Sequence, residues 1–115
     1  MSIDRYEADP ILSGIAVHGG IVYLAGVAAA DISQDLHGQT EQVLAEIDRL
    51  LAIAGSDKSK ILRVEIWLPD MSNYDVFNAQ YQKWIDPDNI PARACVEARL
   101  WDYDAKVEIM VTAVQ

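Results

Sequence analysis

Cysteine is nearly absent: Cys95 stands alone among 115 residues. One cysteine excludes an internal disulfide, and no CxxC or Cys/His cluster is left to ligate zinc. The two histidines, His18 and His37, lie far apart without ligand-like neighbours and read as turn or cap residues. Asp31, Ser33 and Asp35 are too few and too loosely spaced for a calcium loop. No metal and no cofactor is expected. Positive charge is also scarce, with nine Lys and Arg against eighteen Asp and Glu, a net charge of −9 and a pI near 4.4. Such a surface repels a phosphate backbone, so nucleic acid is not an expected partner.

Long apolar runs are missing too. The longest, from Ile21 to Ala30, is too short to span a bilayer. The opening MSIDRYEADP has no basic segment followed by an apolar one, so no signal peptide is expected. A soluble cytoplasmic protein without membrane association is the expectation. Repeats, low-complexity tracts and linkers are absent, which leaves a single domain over residues 1–115. A chain of this length hides roughly two thirds of its unfolded surface and needs no staples.

What is present is organised around Ile90–Gln115. Ala94, Val96, Ala98 and Leu100 alternate with Arg93, Cys95, Glu97 and Arg99, the period of a strand. A second alternation sets Val107, Ile109, Val111 and Ala113 against Glu108, Met110, Thr112 and Val114. With Asp102-Tyr103-Asp104 between them, the two runs predict a hairpin. Glu97 then lies opposite Glu108 and Cys95 opposite Met110. The apolar set is the expected core face. The mixed set, Arg93, Cys95, Glu97, Glu108 and Thr112, reads either as a surface face of ion pairs or as a concave site. In the second reading Arg93 grips a small carboxylate and Glu108 handles a proton or a water.

Earlier in the chain, residues 1–10 suggest a short edge strand stopped by Pro10. Ser13–His18 and Ile21–Val27 flank Gly19-Gly20 as a tight hairpin. Gly26 marks a bulge or a place where a ligand or backbone comes close. Residues 28–38 read as a loop. Gln39–Ala54 predicts a helix whose apolar face is Val43, Leu44, Ile47, Leu50, Leu51 and Ala54, with Thr40 as cap and Gly55 just past the end. Ile61–Leu68 predicts a strand with Leu62, Val64, Ile66 and Leu68 in the core and Arg63, Glu65 and Trp67 opposite. A second helix, capped by Ser72 or Asn73, buries Tyr74, Phe77, Tyr81, Trp84 and Ile85. Asn78 falls beside that stripe, either solvated or turned toward the C-terminal strands. The order βββαβαββ gives an α+β sandwich, with two helices on one face of a mostly antiparallel six-stranded sheet. The other face, with Trp67, Met110 and Val114, is too apolar for free water and suggests a covering subunit.

The run Pro91-Ala92-Arg93-Ala94-Cys95-Val96-Glu97, with Lys106-Val107-Glu108-Ile109 downstream, resembles the C-terminal signature of the RidA (YjgF-like) family of enamine/imine deaminases. Tyr23-Leu24-Ala25-Gly26, Ala54–Ile61 and Phe77-Asn78-Ala79-Gln80-Tyr81 extend the resemblance over nearly the whole chain. The resemblance implies a chorismate-mutase-like fold, a homotrimer with clefts between subunits, and cofactor-free hydrolysis of 2-imino acids to 2-keto acids and ammonia. It implies that Arg93 binds the substrate carboxylate, Glu108 positions the attacking water, and Cys95, Asn78 and Gly26 border the cleft. Deaminating members usually carry a tyrosine where this chain reads Ile11-Leu12-Ser13, and a serine where it has Ala25. The chain is in that respect a divergent member. A non-catalytic trimer that binds small keto acids or other carboxylates is the alternative.

Overall fold

The computed structural model describes residues 2–115. Seven strands form one sheet: β1 (Asp4–Ala8), β2 (Ser13–His18), β3 (Ile21–Leu24), β4 (Val27–Ala28), β5 (Ile61–Leu68), β6 (Ala92–Glu97) and β7 (Glu108–Val114). Two helices, α1 (Leu36–Ile53) and α2 (Tyr74–Trp84), complete the chain. The spatial order is β1-β2-β3-β7-β5-β6, and β4 also pairs with β7. All pairs are antiparallel except β5–β6, which α2 joins as a parallel crossover. The α+β architecture with helices on one sheet face stands. The strand count is seven, because Val27–Ala28 resumes pairing after Gly26.

The local chemistry explains most boundaries. Gly19 and Gly20 both have positive φ, +58° and +78°, which lets β2 turn directly into β3 with His18 opposite Ile21. Gly55, at φ +77°, closes α1 as expected. The start of α1 is earlier than the sequence suggests: Asp35 is its cap and accepts from the Gly38 N–H at 2.9 Å, while Thr40 is fully buried. At the second helix neither Ser72 nor Asn73 acts as the side-chain cap. Asp70 instead caps a short 3-10 turn over Met71–Asn73. Three Asp-x-Ser segments use one device, with an aspartate oxygen accepting from the serine amide and hydroxyl: Asp31/Ser33, Asp57/Ser59 and Asp70/Ser72.

The core lies between sheet and helices. Ile15, Val22, Val64, Ile66, Ile109 and Val111 meet Val43, Ile47, Leu51 and Phe77, all nearly inaccessible. Each such side chain contributes about 1.5–3 kcal/mol by leaving water. The helices are tied to each other by Gln80 donating to the His37 carbonyl at 3.0 Å and by the Trp84 indole donating to the Asp48 carboxylate at 3.1 Å.

Four expectations fail in the second half of the chain. β6 and β7 do not form a hairpin; β5 lies between them, so Cys95 is paired with Ile66 and Glu97 with Leu68. The predicted faces of β6 are reversed: Ala94 and Val96 are exposed, whereas Arg93 and Cys95 are half-buried beneath α2. In β5 a register shift between Ile61 and Arg63 turns Ile61 into the core and leaves Leu62 exposed. Tyr74, expected in the core, is also substantially exposed.

Candidate functional site

The parallel pairing fixes where Arg93 points. It is paired with Val64, and Val64 faces the helices, so Arg93 faces them too. There α2 offers Tyr74, Asn78 and Tyr81 at spacings of four and three, one stripe of a helix. The guanidinium carbon sits 5.0 Å from the Tyr81 ring centre and 5.8 Å from that of Tyr74. Its Nη2 donates a long hydrogen bond, 3.4 Å, to the Tyr74 hydroxyl. Among the described residues no carboxylate lies within 4.0 Å of it, although the chain holds eighteen. Most of its five N–H donors are therefore available to an anion. Cys95 follows on the same face and packs against the core. Burial pushes its thiol pKa up, with Arg93 pulling the other way, so the sulfur is a poor nucleophile. Asn78 presents a buried side-chain oxygen with no partner.

Glu108 belongs to the opposite face. It opens β7, opposite Trp67 of β5 and Ala28 of β4, while its neighbour Ile109 faces the core. Its carboxylate leans over Gly26: a Cβ there would lie 2.5 Å from Glu108 Oε2. Gly26 is thus a glycine because the carboxylate occupies the space of a side chain. Beside it lies a cavity of about 240 Å³ bordered by Leu12, Gly14, Ala25, Gly26 and Arg49. The segment leading into β7 is held by Gln39, which is fully buried. Its amide donates to the Ile32, Gln34 and Asp104 carbonyls and accepts from the Lys106 N–H at 2.9 Å.

The five candidate residues therefore fall into two groups. Arg93, Cys95 and Asn78 gather under α2, and Gly26 and Glu108 gather on the far face of the sheet. Within one chain the two groups are not brought together. A concavity of about 410 Å³ walled by Ala28, Ala30, Gln42, Ala45, Glu46 and Arg49 touches neither Arg93 nor Glu108. Sequence reasoning missed two contributors. Tyr81 was assigned wholly to the core, and Gln39 drew no attention; the buried position of a polar amide at the start of an amphipathic helix was the available signal for the latter.

This is a chorismate-mutase-like α+β domain with an anion-ready arginine on one face and a seated carboxylate on the other. A family model described as Endoribonuclease L-PSP matches residues 5–115. A RutC family protein from Haemophilus ducreyi is 42% identical over 111 residues, 96% of this chain and 95% of that one. The crystal structure of a YjgF protein family member from Neisseria meningitidis superposes with a TM-score of 0.95 at 39% identity, covering 100% of this chain and 96% of that one. A protein named 2-iminobutanoate/2-iminopropanoate deaminase, from Salmonella typhimurium, is 26% identical over 113 residues, 92% of this chain and 88% of that one. The chain belongs to the RidA (YjgF-like) family. Among the described residues no helix is long and apolar enough to cross a membrane.

Proposed function

We propose that the chain is a hydrolytic deaminase of 2-imino acids, working in clefts between the subunits of a homotrimer. The single observation that carries this is Arg93: half-buried, held on tyrosine rings, and unpaired in a chain of net charge −9. A cation left without a counter-ion in such company is poised for an anionic ligand. A 2-imino acid has a carboxylate next to an electrophilic carbon. Two-pronged binding by the guanidinium orients that carbon. Glu108 accepts a proton from water as the water adds to the C=N carbon, and the proton passes to nitrogen. Collapse of the carbinolamine expels ammonia and leaves the 2-keto acid.

Because Arg93 and Glu108 occupy opposite faces of one sheet, the cleft takes Arg93, Cys95 and Asn78 from one copy and Gly26 and Glu108 from the next. The far sheet face supports this assembly: Tyr23 and Val96 stand about half exposed there, with Trp67, Met110 and Val114 beside them. Sequence similarity to the Salmonella protein named as a 2-iminobutanoate/2-iminopropanoate deaminase supports the reaction class. The nuclease in the family-model name is a weaker reading, because eighteen acidic residues repel a phosphate chain.

The test is release of ammonia and keto acid from freshly generated 2-imino acids. Turnover above background that vanishes in Arg93→Ala supports the proposal. A panel of short and long imines with no turnover, combined with calorimetric binding of 2-ketobutyrate, moves the chain to the alternative, a carboxylate-binding trimer in which Ala25 and the Ile11-Leu12-Ser13 segment have removed the catalytic step.

A further inference from the structure

We propose that Tyr81 is a positioning residue, whose ring fixes the Arg93 guanidinium in the orientation that receives a carboxylate. This rests on Arg93 as the carboxylate-binding group and extends that reading to what makes Arg93 effective. An arginine side chain is long, and fixing it at the moment of binding subtracts its lost rotamer freedom from the affinity. A support that has already fixed it removes that loss.

The support here is the Tyr81 ring. It is nearer the guanidinium than the Tyr74 ring, 5.0 Å against 5.8 Å. Tyr81 is only 6% exposed, whereas Tyr74 is 39% exposed. The Tyr81 ring is itself immobilised, with the Phe77 ring centre at 5.9 Å and the Trp84 ring centre at 5.9 Å on its two sides along α2. Trp84 in turn donates to the Asp48 carboxylate of α1 at 3.1 Å. A continuous line of contacts thus runs from α1 through Trp84 and Tyr81 to Arg93. The Tyr81 hydroxyl takes no part: it is buried and has no hydrogen-bond partner. The hold on Arg93 is therefore a property of the ring face, and phenylalanine should supply it while leucine should not.

Two measurements on the intact protein test this. The first needs no ligand. In the NMR spectrum the Arg93 Nε–Hε resonance, identified by its loss in Arg93→Lys, should be displaced by the ring current; it should stay displaced in Tyr81→Phe and lose most of that displacement in Tyr81→Leu, keeping only the part due to the more distant Tyr74 ring. The second is calorimetric affinity for 2-ketobutyrate together with imine turnover. Tyr81→Leu should weaken binding and raise KM by about 10-fold with kcat within about threefold, the pattern of lost uniform binding. Tyr81→Phe should stay within about twofold of wild type in both.

An undisplaced Arg93 resonance in the wild type overturns the proposal even if Tyr81→Leu fails to fold. Equal losses in Tyr81→Phe and Tyr81→Leu also overturn it, since the hydroxyl would then be the operative group. If the resonances behave as stated but the wild type binds no carboxylate, Tyr81 still fixes Arg93, and the reading of Arg93 as a carboxylate site is what fails, taking the positioning role with it.

Discussion

Arg49 and Arg93 carry the same charge in the same acidic chain and have opposite surroundings. Arg49, on α1, has Glu7 at 2.7 Å and Glu46 at 2.6 Å, and these two carboxylates raise its pKa above the ordinary arginine value. Its side chain is 51% exposed, and it ties the outermost strand to the helix layer. Arg93 is half-buried, lies on two aromatic rings, and has no carboxylate within reach among the described residues. The first arrangement completes an ion-pair cluster and leaves no anion site. The second leaves the site open. Lack of a carboxylate partner is shared with other cations of the chain; what sets Arg93 apart is that it is also half-buried and lies over two aromatic rings.

The sharpest way to break the contrast is to separate the two groups of site residues physically. Chains carrying Arg93→Ala and chains carrying Glu108→Ala should each be inactive. Unfolded together in equal amounts and refolded, they should regain about a quarter of wild-type turnover, the fraction of intersubunit clefts that receive both native residues. A mixture as dead as its parents means that both residues serve a cleft within one chain. Gly26→Ala should act on the Glu108 side alone. Its new methyl must push the Glu108 carboxylate aside, so kcat should fall on the order of 100-fold while 2-ketobutyrate affinity, set by Arg93, is retained. Parallel loss of affinity would mean that the two groups are not independent.

Alkali should weaken the Arg93 side of the molecule. Burial raises the pKa of Cys95 above 9.0 and of Tyr81 above 10.0, in each case against the pull of Arg93. Both are raised in the folded chain, so the stability they contribute is complete below the unfolded values and is lost as pH climbs through the folded ones. Urea midpoints should therefore fall between about pH 8 and about pH 11, and Cys95→Ala should fall less. The smallest effect belongs to Arg49→Ala. An exposed ion pair is worth about 0–1 kcal/mol, so the urea midpoint should move only slightly, and imine turnover should fall far less than in Arg93→Ala even though Arg49 borders the cavity beside Gly26. A collapse of activity in Arg49→Ala would erase the distinction between the two arginines.

Much of this was legible in the sequence. The α1 stripe from Val43 to Leu51, the Gly19-Gly20 turn and the Gly55 stop follow from spacing and from glycine's access to positive φ. Arg93 and Glu108 were legible as one reading of a mixed strand face and Gly26 as a place of close approach, the cleft roles of Cys95 and Asn78 came from family resemblance, and the division of the five between two faces was not legible. The reason is physical. Alternation in β6 gives the period but not the phase, because nothing in the strand's own sequence shows that α2 supplies tyrosine rings to receive the Arg93 guanidinium while Ala94 and Val96 turn outward. The hairpin expectation assumed that neighbours in sequence pair in space. The stretch between β6 and β7, residues 98–107, is too long for a tight turn and carries the chain past β5. In β5 the shift at Ile61/Arg63 reverses the alternation locally, which exposes Leu62.

The position of β7 has a consequence for the order of events during synthesis. It emerges after every other element described, yet it is hydrogen-bonded to β3, β4 and β5 in the middle of the sheet. Until it arrives, β1–β4 on one side and the β5-α2-β6 crossover on the other share no strand pairing. Each half must wait with an unpaired edge, a state prone to association with other chains. The strand that brings Glu108 is also the one that closes that edge, so a chain cut short before Glu108 loses its proposed proton acceptor and its sheet in the same stroke.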